Sequence, residues 1–299
     1  MFGISLAFRF TVVWKGMVGN MIQDITAIYH NEYKEQSPST GDYIMFVDGR
    51  SVLMKKDSKE INYLRYEELD GTEMSLRYLF SIDTEEGMKR FFLGESQTLP
   101  ESIMEEYSYE QQNIFREKMP KVLAFVGVTA CQLANWYQTT KFCGTCGSSL
   151  EHDKKERMMR CPNCNAMHYP KISPAVIVAV TNGDKLLMTK YAGRAYKKYA
   201  LVAGFSEIGE TIEETVKREV MEEAGLKVKN IRYYKSQPWS FSDTLLFGFY
   251  CDVDGDDSIT MDEEELSVAE WLTREEIPTE YDGISLTNEM IMRFKNGEA

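Results

Sequence analysis

The C-terminal half of the chain alternates between strand-like and helix-like patterns of apolar residues. Two apolar runs, SPAVIVAV and KLLMTKY, flank the turn Asn182–Asp184 and predict a β-hairpin. A later run, TLLFGFYCDV, predicts another strand. Thr211 and Glu214 have the spacing of a capping box, which predicts a helix that ends at Gly225. Ser285 is a candidate N-cap for a final helix, LTNEMIMRFKN. Strands and helices that alternate in this way indicate an α/β domain.

The N-terminal part has a different pattern. The segment GDYIMFVDGRSVLMKK contains two strand-like runs around the turn Asp48–Gly49, which predicts a second hairpin. EMSLRYLFSI predicts a further strand, and Lys121–Tyr137 has the length and pattern of a helix. We therefore expect a mixed α+β domain at residues 21–138.

Composition narrows the classes of function. The 34 basic and 47 acidic residues among 299 give a formal net charge of −13, which disfavours generic binding to nucleic acid or to an anionic membrane. The longest apolar stretches fall short of the roughly 20 residues that a membrane-spanning helix needs. Arg9 interrupts the apolar first residues and no cleavage site follows them, so we expect translation to start at Met17 or Met21 rather than a signal peptide.

Four of the six cysteines form two CxxC pairs. They are Cys143 with Cys146, and Cys161 with Cys164, and 14 residues separate the pairs. This spacing predicts a structural zinc site at residues 139–170, since four thiolates leave no coordination position open for a substrate. Such a site also indicates a reducing compartment, and we expect a cytoplasmic protein. A ribbon that binds nucleic acid is the alternative, which the acidic balance disfavours.

A cluster of glutamates predicts a second kind of metal site. Glu219, Glu222 and Glu223 are spaced i, i+3 and i+4, so they project from one face of a helix and repel one another. Divalent cations relieve this repulsion, and ligands that are all oxygen favour Mg²⁺ or Mn²⁺. Arg218 can pair with Glu222 four residues later. The alternative is a solvated acidic helix face.

Residues 204–226 resemble the sequence motif of the Nudix hydrolases. The matching positions are Gly204, Glu210, Arg218, Glu219, Val220, Glu222, Glu223, Gly225 and Leu226. The resemblance implies that residues 171–299 form a Nudix α/β/α sandwich. It also implies metal-dependent attack of water on a diphosphate linked to a nucleoside.

The segment SQPWSFSDT, at residues 236–244, resembles the SQPWPFPxS motif of the NADH pyrophosphatase subfamily. That subfamily also has an N-terminal domain, a four-cysteine zinc ribbon and a Nudix domain in this order. Two of its prolines are replaced here by Ser240 and Ser242, and its final serine by Thr244. Proline fixes φ, so we expect this loop to be more pliable in this chain.

The resemblance also implies roles for individual residues. Glu219, Glu222, Glu223, Glu265 and the backbone carbonyl of Ala203 are the expected Mg²⁺ or Mn²⁺ ligands, with Glu263 and Glu264 as alternatives in the register of Glu265. Glu222 or Glu265 is the expected general base, and Arg218 belongs to the same catalytic set. The expected substrate contacts are Glu156, Tyr169, Phe205, Gln237, Pro238, Trp239, Ser240, Phe241, Ser242, Asp243 and Thr244.

The implied reaction is hydrolysis of NADH or NAD⁺ to NMN(H) and AMP. ADP-ribose-like diphosphates and the NAD cap of RNA are alternative substrates. A binding or regulatory protein on a Nudix scaffold is the alternative outside enzymes, and the intact glutamate set disfavours it. The resemblance further implies a homodimer that has its substrate site near the subunit interface.

Overall fold

The computed structural model describes residues 21–69, 74–95, 99–193, 198–279 and 282–299. The expected start at Met17 lies outside the described residues, and the alternative start, Met21, is the first of them. None of the helices in these ranges is long and apolar enough to cross a membrane.

The N-terminal domain contains two small sheets and a long helix. Its elements are β1 (Ile28–His30), β2 (Tyr43–Met45), β3 (Val47–Asp48), β4 (Ser51–Lys55), β5 (Leu64–Arg65), β6 (Leu76–Thr84), β7 (Gly87–Gly94), α1 (Glu101–Glu106), β8 (Tyr107–Gln111) and α2 (Lys121–Thr139). The first sheet has the order β1-β6-β7-β2-β5 and the second has the order β3-β4-β8. The hairpin predicted around Asp48–Gly49 is confirmed as β3 and β4, and the predicted helix is confirmed as α2.

A short ribbon of three strands follows α2. Its strands are β9 (Glu151–His152), β10 (Met159–Arg160) and β11 (Met167–His168), in the order β11-β10-β9. Buried ribbon residues, including Leu150, Met159 and Cys161, share one hydrophobic core with α2 and the N-terminal sheets. The ribbon is therefore packed against the N-terminal domain.

The C-terminal domain is built on one mixed sheet. Its elements are β12 (Ser173–Asn182), β13 (Lys185–Tyr191), β14 (Val202–Phe205), α3 (Ile212–Ala224), β15 (Val228–Trp239), β16 (Thr244–Val253), β17 (Leu266–Thr273) and α4 (Leu286–Lys295). The main path is β15-β16-β12-β13-β17, and β14 pairs with β12. The predicted hairpin is confirmed as β12 and β13.

The central strand β12 is apolar on both faces, and its alternate residues enter two different cores. Val176, Val178 and Val180 pack with Val216 and Val220 of α3. Ile177 and Ala179, on the other face, pack in a core with Leu286, Met290 and Phe294 of α4. Because side chains alternate across a strand, one apolar run covers both faces of the sheet. The predicted α/β/α sandwich is confirmed.

Local signals fix the ends of the two helices that flank the sheet. In α3 the Thr211 side chain accepts from the Glu214 backbone N–H, and the Glu214 carboxylate accepts from the Thr211 N–H. Gly225 ends α3 with a positive φ of 69°, and an added Cβ would lie 2.8 Å from Thr260. Ser285 caps α4 as predicted. The segment 236–239, by contrast, is part of the long strand β15 rather than a loop.

Candidate active site

Helix α3 holds the three glutamates at different depths. Its apolar side faces the sheet through Val216 and Val220, so the neighbouring Glu219 and Glu223 are nearly buried, at 8% and 2% exposure. The Glu222 side chain is 58% exposed. One helix face therefore directs two carboxylates toward strand β14 and leaves the third at the solvent-facing edge.

Strand β14 approaches the helix closely at Gly204. A Cβ added to this glycine would lie 1.9 Å from Cδ of Glu219 and 2.0 to 2.1 Å from its two carboxylate oxygens. The preceding residue, Ala203, donates its backbone N–H to Oε1 of Glu223 at 3.4 Å. The glycine is therefore required because the buried carboxylate occupies the space of a side chain.

Arg218 connects the glutamates to the loop before the helix. Its Nε and Nη2 donate to the two carboxylate oxygens of Glu210 at 2.6 and 2.9 Å. Its Nη1 donates to Glu219 at 2.8 Å and to Glu222 at 2.9 Å, and Nη2 also donates to the carbonyl of Phe205 at 2.9 Å. The guanidinium, aided by the backbone N–H of Glu207, lowers the pKa of Glu210 to about 2. Arg218 therefore braces the loop against the helix and is unsuited to proton transfer.

The pKa of Glu219 depends on charges of α3 and of the loop before β17. Burial raises the pKa of Glu219, hydrogen bonding to Arg218 opposes this, and the charges of Glu222 and Glu265 raise the pKa further. The loop packs at the end of the helix, where Asp262 donates its N–H to the carbonyl of Glu223 at 3.1 Å. Glu265 itself is exposed, and its charge is the weakest of the contributions given for the pKa of Glu219.

The oxygen groups at this position fit hard divalent cations. The carboxylates of Glu219 and Glu223 lie against strand β14, and Arg218 joins Glu219 to the exposed Glu222; carboxylate oxygens are the donors that Mg²⁺ and Mn²⁺ prefer. Burial of negative charge is costly, so a divalent cation bound here would stabilise the charged forms of the Glu219 and Glu223 carboxylates.

A cavity of about 380 Å³ opens at strand β14. Its lining includes Gly204 and Phe205 from β14, and Trp239, Ser242 and Thr244 from the end of β15 to the start of β16. Residues 238–244 are called the aromatic loop below. The cavity is of the size range of small-molecule sites, and it extends from strand β14 to the Trp239 ring, without a glutamate of α3 in its described lining.

The remaining residues of the aromatic loop do not line the 380 Å³ cavity. Phe241 is only 5% exposed, and its ring centroid lies 4.8 Å from that of Trp239. Pro238, Ser240 and Asp243 line a second cavity, of about 770 Å³, on the side of α2. The expected substrate contacts in this segment are thus divided between two cavities.

Gln237 departs from the expectation of a substrate contact. It is fully buried, and its amide nitrogen donates to Gln23 at 3.0 Å and to the carbonyl of Ile284 at 2.8 Å. Its amide oxygen accepts from the N–H of Leu286 at 2.7 Å. Because these bonds use the amide, Gln237 joins β15 to the N-terminal segment and to the start of α4, and does not face the 380 Å³ cavity.

The ribbon brings its four cysteines together. Their sulfur atoms all lie within 4.8 Å of one another, and three of the pairs, Cys143–Cys164, Cys146–Cys161 and Cys146–Cys164, are at 3.5, 3.5 and 3.6 Å. A tetrahedral zinc with bonds of about 2.3 Å needs sulfur atoms roughly 3.8 Å apart, so the set fits zinc. A hydrogen bond from His168, with backbone N–H groups, lowers the pKa of Cys143 to about 5, which favours the thiolate.

Two ribbon residues expected at the substrate form their own pair. The Tyr169 hydroxyl donates to Glu156 at 2.8 Å, and the Tyr169 side chain is exposed. Neither residue is part of the described lining of the 380 Å³ cavity. Within one chain, the structure does not bring this pair to the cavity.

The N-terminal domain supplies residues that the sequence did not indicate. Arg116 lines the 380 Å³ cavity, and its guanidinium lies 4.9 Å from the Trp239 ring centroid and 4.6 Å from that of Phe241. Arg50 and Gln112 donate to the carbonyl of Phe241. These residues lie more than 120 positions from the loop in sequence, and no local motif marks them.

Comparisons with known proteins agree with this arrangement. The NUDIX domain model matches residues 171–293, and the NADH pyrophosphatase zinc ribbon model matches residues 138–169. The NAD-capped RNA hydrolase NudC of Klebsiella pneumoniae (strain 342) is 43% identical over 148 residues, which cover 49% of this chain and 57% of that protein. The protein of the same name from Shigella boydii serotype 18 is 36% identical over 194 residues, covering 64% of this chain and 75% of that protein.

Among solved structures, the crystal structure of a NUDIX hydrolase from Nitrosomonas europaea is 25% identical, with a TM-score of 0.46. The match covers 52% of this chain and 90% of that one.

The mixed sheet lies between helices α3 and α4. Arg218 joins the glutamate helix α3 to the segment that follows Gly204, and this combination of fold and site is that of the Nudix hydrolases. The chain belongs to the Nudix hydrolase family, in the branch that carries the NADH pyrophosphatase zinc ribbon. It spans little more than half the length of the first of these curated relatives, at 57%.

Proposed function

We propose that this protein is a metal-dependent diphosphatase that cleaves NADH and NAD⁺ to NMN(H) and AMP. The observation that carries the proposal is that the 380 Å³ cavity is lined both by Gly204, which lies against the Glu219 carboxylate, and by Trp239. An aromatic ring offers a stacking surface for a base or for nicotinamide. The carboxylates offer metal ligands for the diphosphate.

The residues proposed to hold Mg²⁺ or Mn²⁺ are Glu219, Glu222, Glu223, Glu265 and the carbonyl of Ala203. When bound, the metal ions neutralise charge on the diphosphate and lower the pKa of a water molecule. The chain holds its ligands in place through the Arg218 brace and the close approach of the strand.

The proton of the attacking water passes to a carboxylate, and Glu222 and Glu265 are the two candidates. Both are exposed, so both are open to water. Glu222 already accepts a hydrogen bond from Arg218 at 2.9 Å, which occupies one of its carboxylate oxygens. Comparing the pH–rate profiles of Glu222→Gln and Glu265→Gln at saturating metal distinguishes them, because loss of the base removes the acidic limb of the profile.

Hydrolysis of NAD-capped RNA is the second candidate, and the printed name of the curated relatives favours it. The same bond is cleaved, but an RNA chain needs a basic path. The basic residues after the glutamate helix are largely neutralised by acids, since Lys229 pairs with Asp254 at 2.9 Å and Arg232 pairs with Asp252 at 3.2 Å. This pairing supports the free dinucleotide over the RNA.

The deciding experiment measures products from NADH, NAD⁺, ADP-ribose and NAD-capped RNA at equal concentration, with Mg²⁺ or Mn²⁺. We expect the highest kcat/KM with NADH. Outright preference for ADP-ribose contradicts the substrate assignment, and preference for capped RNA favours the second candidate. Lack of hydrolysis of all four, with a correctly folded protein, favours a binding or regulatory role.

We also propose a homodimer. Glu156 and Tyr169 form a pair on the ribbon, away from the cavity of their own chain, so a partner ribbon could complete the substrate site. Phe142, Met167 and Ile172 expose large apolar side chains in the same segment, at 66, 55 and 61%. Light scattering should give about twice the 34.5 kDa of one chain, and a monomer mass at working concentration contradicts the dimer. The reduced cysteine set supports a cytoplasmic location for this enzyme.

A further inference from the structure

The aromatic loop is a thin wall between two cavities. Trp239, Ser242 and Thr244 line the 380 Å³ cavity, whereas Pro238, Ser240 and Asp243 line the 770 Å³ cavity. Ser240 and Thr244 are buried, and the ends of the loop are paired, Trp239 with Thr244. Serines stand, however, at the two positions where the related motif has stiffening prolines.

Phe241 lies at the centre of the loop. Its ring is buried, and its backbone carbonyl accepts hydrogen bonds from Nη1 of Arg50 and, at 3.2 Å, from Nε2 of Gln112. Hydrogen bonds from a charged donor are about twice as strong as neutral ones. The loop is thus attached to the rest of the chain at the residue between the two serines.

Both donors belong to a rigid part of the N-terminal domain. Arg50 lies in the turn between β3 and β4, and its carbonyl accepts from the backbone N–H of Gln112 at 2.8 Å. Gln112 is only 6% exposed, and the residues beside the donors, Ser51 and Gln111, pair in the β4–β8 ladder. Because the donors are fixed to each other, binding their acceptor costs little conformational entropy.

We propose that Arg50 and Gln112 are positioning residues for substrate binding, which act by holding the Phe241 carbonyl and through it the Trp239 ring. The N-terminal domain thereby supplies from outside the loop the rigidity that its serines do not supply from within. This inference rests on the proposed function, since Trp239 is taken to contact the dinucleotide.

The test compares Arg50→Met, which removes the donor but keeps the stem, with Arg50→Lys, which keeps a cationic donor. The matched control is Arg65→Met, because Arg65 also donates to a backbone carbonyl of the same domain, that of Gly41, and is remote from the loop in the contacts described. We expect Arg50→Met to raise KM for NADH about tenfold and to change kcat less than about twofold. Arg50→Lys should recover most of the affinity, and Arg65→Met should match wild type.

A second arm separates positioning from general destabilisation. Adding prolines at Ser240 and Ser242 to the Arg50→Met protein should lower KM again, because the loop is then stiffened from within. If Arg50→Met folds poorly, Gln112→Leu removes the second donor with an apolar side chain of similar size and should raise KM in the same direction.

An activity-independent readout is acrylamide quenching of Trp239 fluorescence, taken as the difference between each protein and its Trp239→Phe version, since the chain has 4 tryptophans. Arg50→Met should increase the quenching, and Arg65→Met should leave it unchanged. Equal KM and equal quenching in Arg50→Met and wild type overturn the inference. Wild-type protein that does not hydrolyse NADH instead overturns the proposed function, while the quenching comparison still decides the role of Arg50.

Discussion

Replacing Gly204 with alanine should disable catalysis while leaving the protein folded. The added Cβ would lie 1.9 Å from Cδ of Glu219, whereas ordinary van der Waals contacts begin at 3.4 Å. The carboxylate must therefore retreat by about 1.5 Å. It is the end of a flexible side chain, and Gly204 has no positive φ, so the backbone can accept alanine at small cost.

The expected loss follows from this displacement. Metal–oxygen distances tolerate about 0.2 Å, so a carboxylate moved by about 1.5 Å no longer binds the ion that its neighbours hold. A misplacement of about 1 Å at a reacting centre costs roughly 100-fold in rate, and we expect kcat/KM for NADH to fall at least that far. The melting temperature should stay within about 2 °C, which corresponds to about 1 kcal/mol for a chain of this size.

The assay measures NADH hydrolysis across a range of Mg²⁺ and Mn²⁺ concentrations, with a thermal melt of the same samples. Gly144→Ala is the control, because a Cβ at Gly144 meets no atom within 4 Å and its φ is not positive. Activity of Gly204→Ala within about threefold of wild type would refute the reasoning, because it would mean that the position of Glu219 does not matter to catalysis.

Three further predictions concern the metal sites and the aromatic loop. Glu223→Gln should nearly abolish turnover in a folded protein, because it removes a charged ligand from the cluster; activity within tenfold of wild type at saturating metal contradicts this. Cys161→Ser should lower the melting temperature and release zinc, and elemental analysis that finds no zinc, or iron instead, in the wild-type protein excludes the zinc site. Prolines at Ser240 and Ser242 in the wild-type chain should lower KM for NADH more than for ADP-ribose, and an unchanged ratio of the two kcat/KM values shows that the loop does not set selectivity.

Features of the site that depend on residues close together in the chain could be predicted from the sequence. The capping box at Thr211 and the left-handed Gly225 bound the glutamate helix, because each requirement is met by residues within one or two turns. The ion pair between Arg218 and Glu222 was predicted from their i, i+4 spacing, because side chains four residues apart are neighbours on a helix. The two CxxC pairs, likewise, set the sulfur positions within short loops.

The sequence by itself thus determined the cysteine set of the ribbon, the helices that flank the sheet and the strands of its centre, since motif spacing, periodicity and capping act over a few residues. Only the tertiary structure decided which residues reach the aromatic loop. Gln237 lies in the same motif as Trp239, but the fold buries its amide between Gln23 and Ile284. Arg50 and Arg116, which no motif marks, come to the loop because the N-terminal domain, α2 and Phe241 bury their apolar surface in one common core. Such long-range contacts depend on the burial of surfaces far apart in the chain, and that information is absent from any local pattern of residues.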